Sequence, residues 1–351
     1  MKGDCGMTKE ACSPPTKTSP QELRNDAKRC AVLVVAAGFE DRARRVLGIL
    51  KGTEITRIVL VRYTEGIKEN DDTFTVMQAE VARHPNRRTV RTVTLDLRRP
   101  DGYLDELKAT LTQWRPDSTG EVWVDISALA MQGICATLAA VRAALPGLVV
   151  QVLYTEAAEY HPTKAEAAKG DEGVVALSKE MACNLIPKQF AGTSSAVSTC
   201  LIVFAGYEKH RAFGVVDELN PSRLALFYGE PPGNEMRWRL HWSKKLHEQL
   251  HQSRHSASET VSTLNPLASL KLLNTYYGYL FANHNIAVSP ICSKMQCVGC
   301  YLFWERYRDV QLVFPLPVTY LPEHFSMRYR DTFRFTLPSA DGLTVLAESP
   351  L

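Results

Sequence analysis

The chain lacks any apolar run of the ~18–20 residues that a membrane-spanning helix needs, so no membrane segment is expected. It is also poor in net charge. Its 41 basic and 38 acidic residues leave +3 overall, and no Lys/Arg run is dense enough to argue for direct nucleic-acid contact. GxSxG, HExxH and the Walker-type GxxxxGK[ST] are all missing, which argues against the common hydrolases and NTPases. The first residues, "MKGDCGMTKEACSPPTKTSPQELRND", have neither an apolar core nor an arginine-rich amphipathic pattern, so no export or organelle signal is expected. The nine cysteines are an odd number, and Cys30, Cys135 and Cys200 lie inside apolar segments. Reduced thiols and a cytoplasmic location fit this better than a disulfide framework.

What is present is an ordinary globular composition, 45% hydrophobic and 23% charged over 351 residues, enough for two domains or one large one. One short sequence pattern occurs twice. "VLVVAAGFEDRARRVLGIL" (32–50) is an apolar run, a glycine turn carrying a glutamate and an arginine, and the start of a helical pattern. "LIVFAGYEKHRAF" (201–213) repeats it. The first copy opens a series of apolar strands near 31–37, 57–63, 91–97, 121–127 and 148–156, separated by helical patterns near 41–50, 72–84, 102–114 and after 127. The second copy opens a matching series: 201–205, 223–230, a weak strand in "ETVSTL", "NIAVSP" and "DVQLVFPLP". Strands alternating with helices of this length predict βαβ units and a parallel, Rossmann-like sheet.

The fold class expected is therefore α/β, with two tandem Rossmann-like lobes of mainly parallel sheet related by internal duplication. The expected division is a flexible N-terminal tail (1–29), a first lobe (30–160), a linker with one short helix or hairpin (161–199) and a second lobe (200–351). The stretch after Pro317 reads as a loop and a final strand that pack back on the second lobe.

In an open parallel sheet, ligands bind beyond the carboxyl ends of the strands. Two loop types fall there. The first is Gly38, Phe39, Glu40 and Arg42, with Gly206, Tyr207, Glu208 and Arg211 as counterparts. The glycine permits a sharp exit from the strand, and the aromatic suits stacking on a flat group. The Glu–Arg pair either binds a polar ligand or bonds to itself. The second type follows the fourth strand: Asp125 and Ser127 in the first lobe, Ser293 and Lys294 in the second. Either serine also reads as a plain N-cap. Lys294 is read as an exposed cation in a first helical turn, where it opposes the helix dipole. A phosphate, or a carboxylate such as Glu208, would resolve that conflict. If the lobes pair pseudo-symmetrically, the two Glu–Arg turns share one cleft.

Cys292, Cys297 and Cys300 have C-x4-C-x2-C spacing but read as small core residues on a buried helix. His247, His251 and His255 recur every four residues and read as a solvated helix face. No metal and no cofactor are expected.

The element order, with the loop after strand four opening a helix, resembles the CRISPR-associated Rossmann-fold (CARF) sensors. Two such lobes in one chain resemble SAVED domains. The resemblance covers roughly 30–160 and 200–317, in architecture more than in sequence. The family's Gly-Gly-Thr-Lys-like loop is matched only by "CSK" at Cys292 to Lys294, and "SALAM" in the first lobe departs from it. The resemblance implies a sensor of cyclic or linear oligonucleotides in bacterial antiviral defence. It also implies a nucleotide-like anionic ligand and a separate effector protein as partners. The alternatives are an enzyme hydrolysing a nucleotide's glycosidic or phosphodiester bond in the same cleft, with Glu40, Glu208 or Asp125 as acid–base groups, and a scaffold with no small ligand.

Overall fold

The computed structural model describes residues 13–55, 57–83, 89–114, 120–169, 178–193, 198–253 and 256–343. The first lobe comprises β1 (Thr16–Thr18), α1 (Pro20–Asp26), β2 (Cys30–Ala36), α2 (Arg45–Ile49), β3 (Arg57–Tyr63) and α3 (Lys68–Ala82). It continues through β4 (Thr89–Leu95), α4 (Pro100–Gln113), β5 (Glu121–Asp125), α5 (Met131–Ala144) and β6 (Val149–Thr155). A connecting segment carries α6 (Lys164–Ala168) and β7 (Ser178–Leu185). The second lobe contains β8 (Ser198–Ala205), α7 (Lys209–Leu219), β9 (Arg223–Glu230), α8 (Trp238–Leu246), α9 (Glu248–Ser253) and β10 (Ala257–Ser262). Then come α10 (Pro266–Leu280), β11 (His284–Pro290), α11 (Lys294–Arg306), β12 (Gln311–Leu312), β13 (Phe314–Tyr320) and β14 (Thr332–Thr336).

The α/β class and the mainly parallel sheets agree with the sequence reading. The first sheet runs β1-β14-β6-β5-β2-β3-β4 and the second β10-β9-β8-β11-β12. The five strands from β2 to β6 are parallel to one another, and so are those of the second sheet. Counting each lobe's parallel strands from its own first, both sheets read 3-2-1-4-5. Strand order reverses between strands one and four, and a crevice opens at the carboxyl ends of such a switch point.

Four features differ from the expectation. Residues 16–29 are not a loose tail. Ser19 and Glu22 form a reciprocal capping box on α1, and Leu23 is fully buried. The final strand joins the first lobe rather than the second: β14 pairs antiparallel with β6, and β1 pairs with β14. Without them the β6 edge would present a row of unmet backbone groups. The fifth strand of the second lobe is only two residues long before the chain leaves as β13 to pair with β7. Pro315 and Pro317 lie in the β13–β7 ladder, whose register is irregular between Leu316 and Pro317, as fits proline on an edge strand. The predicted helix over 41–50 begins as a 3₁₀ turn, Asp41–Arg44, that passes into α2.

The lobes share a core. One apolar cluster includes Val34, Val124, Ile134 and Cys135 of the first lobe with Phe204, Val288, Cys297 and Tyr301 of the second. Helices α5 and α11 meet there, with the Cys135 and Cys297 sulfurs 3.6 Å apart. Each fully buried large apolar side chain contributes about 1.5–3 kcal/mol. A continuous core of this kind fixes the lobes against each other, and it places both switch points side by side.

Candidate functional site

A cavity of about 370 Å³ lies where the two switch points meet. Glu40 and Arg42 line it from the first lobe, and Gly206, Tyr207, Glu208, Arg211, Ser293 and Lys294 from the second. The shared cleft expected from the paired turns is therefore present. Much of its wall follows the carboxyl ends of strands: Glu156, Tyr160 and His161 after β6, Pro231 and Pro232 after β9, Thr263 and Leu264 after β10, Ile291 and Cys292 after β11. Arg239 and Ser243 of α8 and Ser326 and Arg330 before β14 add to it.

The turn glycines are needed for close approach. A β-carbon on Gly206 would lie 2.4 Å from the Ile291 carbonyl oxygen, and one on Gly38 2.9 Å from that of Ala128. In both lobes the loop after strand four presses on the turn after strand one. Gly206→Ala should cost about 1–3 kcal/mol, as overpacking against backbone does, and should narrow the cavity. A melting midpoint unchanged from wild type would contradict this packing.

Glu40 and Arg42 are both buried. Arg42 donates to Glu40 Oε1 at 2.7 Å, to the Thr155 carbonyl at 3.2 Å and to the Tyr154 hydroxyl at 3.3 Å. Ser326 also donates to Glu40 Oε1. Burial works against the ionised carboxylate, but Arg42, Lys294 and Ser326 outweigh it and hold Glu40 below the usual carboxylate range. Lys294 is not an exposed cation: its side chain is only 14% accessible. Its ammonium donates to the Leu129 carbonyl at 2.7 Å, and Glu40 Oε2 lies 3.8 Å away. The carboxylate beside this lysine thus comes from the opposite lobe and is not Glu208. Burial lowers Lys294 to about 8, with Glu40 resisting the shift.

The second turn is built in the same way. Arg211 donates to Glu208 Oε2 at 2.5 Å and to the Pro315 carbonyl at 2.9 and 3.1 Å. Burial would favour loss of the Arg211 proton, but Glu208 keeps the group firmly protonated. The Ser178 hydroxyl caps the other oxygen of Glu208. Tyr207 is pushed up by burial and lies under Arg239, whose guanidinium carbon is 5.1 Å from the ring centre.

Four predicted residues fall outside the cavity lining: Gly38, Phe39, Asp125 and Ser127. Asp125 and Ser127 are buried beneath it and bond to each other: Asp125 Oδ1 accepts from the Ser127 amide at 3.0 Å and from its hydroxyl at 2.5 Å. Ser127 in turn accepts from the Thr155 amide at 2.8 Å. Burial pushes Asp125 up to about 6 despite the bonds from Ser127. The pair shapes the strand ends. Ser293 lines the cavity and is also the N-cap of α11, in a capping box with Gln296. Phe39 turns away, packing edge-to-face on Phe325 with ring centres 4.8 Å apart.

The sequence reading missed Arg239, Tyr160 and Tyr154. Arg239 is buried on α8 and donates to the carbonyls of Tyr160 at 2.6 Å and Pro162 at 2.7 Å. It lies over the rings of Trp238, Tyr207 and Tyr160, and Arg42 also approaches Tyr160, at 5.9 Å. Among the described residues, no carboxylate lies within ion-pairing distance of Arg239, and its Nε is buried with no acceptor. The only sequence signal was the basic "RWRLHWSKK" helix, which reads equally well as a solvated face.

Of the remaining cysteine and histidine motifs, only Cys292 reaches the cavity wall among the described residues. His247 is fully buried and bonds the Ser243 carbonyl, so the solvated histidine face holds for His251 alone. His255 lies outside the described residues. Cys297 and Cys300 are core residues, and the described residues contain no group of side chains able to hold a metal ion. No described helix is long and apolar enough to cross a membrane.

Fold and site together define a Rossmann-like α/β protein with a cavity, lined in part by charged residues, between one mixed and one parallel sheet. No protein-family model matches the chain, and no curated protein matches its sequence.

Proposed function

We propose that the chain binds a nucleotide-like anion between its lobes and acts as a sensor, passing the signal to a separate effector protein. The setting that the CARF and SAVED resemblance suggests is bacterial antiviral defence. The observation that carries the reading is the charge of the deep cavity. Arg42, Arg211, Arg239 and Lys294 face only Glu40 and Glu208 at close range. Arg330, Glu156 and Glu235 lie further out on the same rim. Glu208 answers Arg211, and Glu40 is shared between Arg42 and Lys294, so four cations have two carboxylates and Arg239 has none among the described residues. A cation held out of water without an opposite charge is costly, and an anionic ligand offsets that cost. The volume is at the lower end of the ~300–1,000 Å³ typical of ligand sites, which suits one or two nucleotide units. The paired turns and the common 3-2-1-4-5 order fit an internal duplication that brought two equivalent half-sites together.

Binding is favoured over catalysis because the proposed acid–base groups are already engaged. Glu40 and Glu208 are ion-paired, and Asp125 is outside the cavity. The test is native mass spectrometry of freshly purified protein, followed by melting with a panel of mono- and cyclic dinucleotides. A co-purified or stabilising nucleotide recovered unchanged supports the sensor. Turnover would support the enzyme, and an absence of any bound or stabilising anion would leave the scaffold.

The pH dependence follows from Lys294. Its folded value of about 8 lies below that of an unfolded lysine, so the charged form carries a folding penalty that fades as pH rises through 8 towards 10. Ligand-free stability therefore gains from this group over that window. Anion affinity should do the opposite and fall from pH 7 to 9, because the ammonium discharges. Ligand shifts measured at both pH values that are equal, or larger at pH 9, would exclude Lys294 from anion binding.

A further inference from the structure

On the outer side of the 38–42 turn, a second and more open groove of about 730 Å³ lies between α2, α3 and the 328–329 segment. We propose that this groove is a separate anion site for a phosphate-bearing ligand, seated on Arg24 and Arg45. Four arginines line it: Arg24, Arg44, Arg45 and Arg328. Two of them are engaged, since Arg44 pairs with Glu80, and Arg328 bonds Asp41 through its backbone amide and Glu159 through its guanidinium at 3.2 Å. Arg24 and Arg45 have no carboxylate within ion-pairing distance among the described residues.

Both are held in place by other means. Arg24 Nε donates to the Ile49 carbonyl at 2.8 Å. The Arg45 guanidinium lies 4.7 Å from the centre of the Tyr329 ring, and its Nε is buried with no acceptor. Two positioned guanidiniums present planar donor forks, the geometry that recognises phosphate bidentately. Phe39 and Tyr329 add aromatic walls to the groove. Glu40 lines both cavities, so an anion in the groove approaches the carboxylate that steadies Lys294. This site does not depend on the inter-lobe cavity binding anything.

The test uses inorganic pyrophosphate as probe on the full chain. In calorimetric titrations, Arg24→Ala and Arg45→Gln should each weaken one binding event about tenfold or more, the range for a lost hydrogen bond to a charged group. Arg239→Ala in the inter-lobe cavity should leave that event in place, and Arg98→Ala, on an exposed turn, should not alter it. Should either groove variant fold poorly, wild-type protein can be footprinted with phenylglyoxal. Pyrophosphate should then protect Arg24 and Arg45 but not Arg98. No pyrophosphate binding, equal weakening by Arg98→Ala, an event lost only in Arg239→Ala, or unprotected Arg24 and Arg45 would each overturn the site.

Discussion

Replacing Glu40 with alanine should lower the stability of the ligand-free protein by about 3–5 kcal/mol, the cost of leaving a buried charge without its partner. Among the described residues, Glu40 is the only carboxylate within ion-pairing distance of both Arg42 and Lys294, and all three groups are largely out of water. Removing it leaves two cations facing one cavity. The variant should also gain from anions: phosphate or sulfate in the buffer should recover part of the loss, because either can stand in for the missing carboxylate. Glu40→Gln should fall between, keeping a bond from Ser326 or Arg42 without the charge. Melting curves in chloride and in phosphate buffer decide the matter. A Glu40→Ala protein as stable as wild type, or one indifferent to phosphate, would mean that the two cations are satisfied in some other way.

Much of this arrangement could be read from the chain. The repeated glycine turn after an unbroken apolar run marked the first strand of each lobe, and alternation of strand and helix gave the parallel sheets. The pairing of the two turns in one cleft followed from their equivalence. What local sequence does not carry is the choice of a strand's neighbour. β14 is close in sequence to the second lobe, yet pairs with β6 because that edge was open. The helix at Pro20–Asp26 went unread in the expected tail, because whether so short a helix persists depends on the pocket that receives Leu23. Lys294 was found by its helix position and misjudged in exposure, because its cover comes from Glu40 and Leu129 in the other lobe. Asp125 and Ser127 lie at the right sheet edge but bond to each other. Arg239 is set by the tertiary packing of α8 against the loop after β6, and no spacing rule points to it.

Arg239 also gives the most direct test of the sensor. Its guanidinium is buried, stacked among aromatic rings and anchored by two carbonyls, and it has no carboxylate at hand among the described residues. Those carbonyls and rings stabilise the arginine only in part, so a ligand anion would complete its shell. For whichever nucleotide shifts the wild type most, a hundredfold excess over the dissociation constant corresponds to about 2.7 kcal/mol of stabilisation. Arg239→Ala should lose most of that. Arg239→Lys should recover little, since a lysine cannot reproduce the stacked, planar fork. Some ligand-free stability is also at stake, because the side chain ties α8 to the Tyr160 and Pro162 carbonyls. The two roles separate in one pair of melts. A variant that melts several degrees lower yet keeps the full ligand shift would make Arg239 a clip between the lobes and move the anion site elsewhere. A variant that keeps most of its own stability and loses the shift would place the ligand against α8.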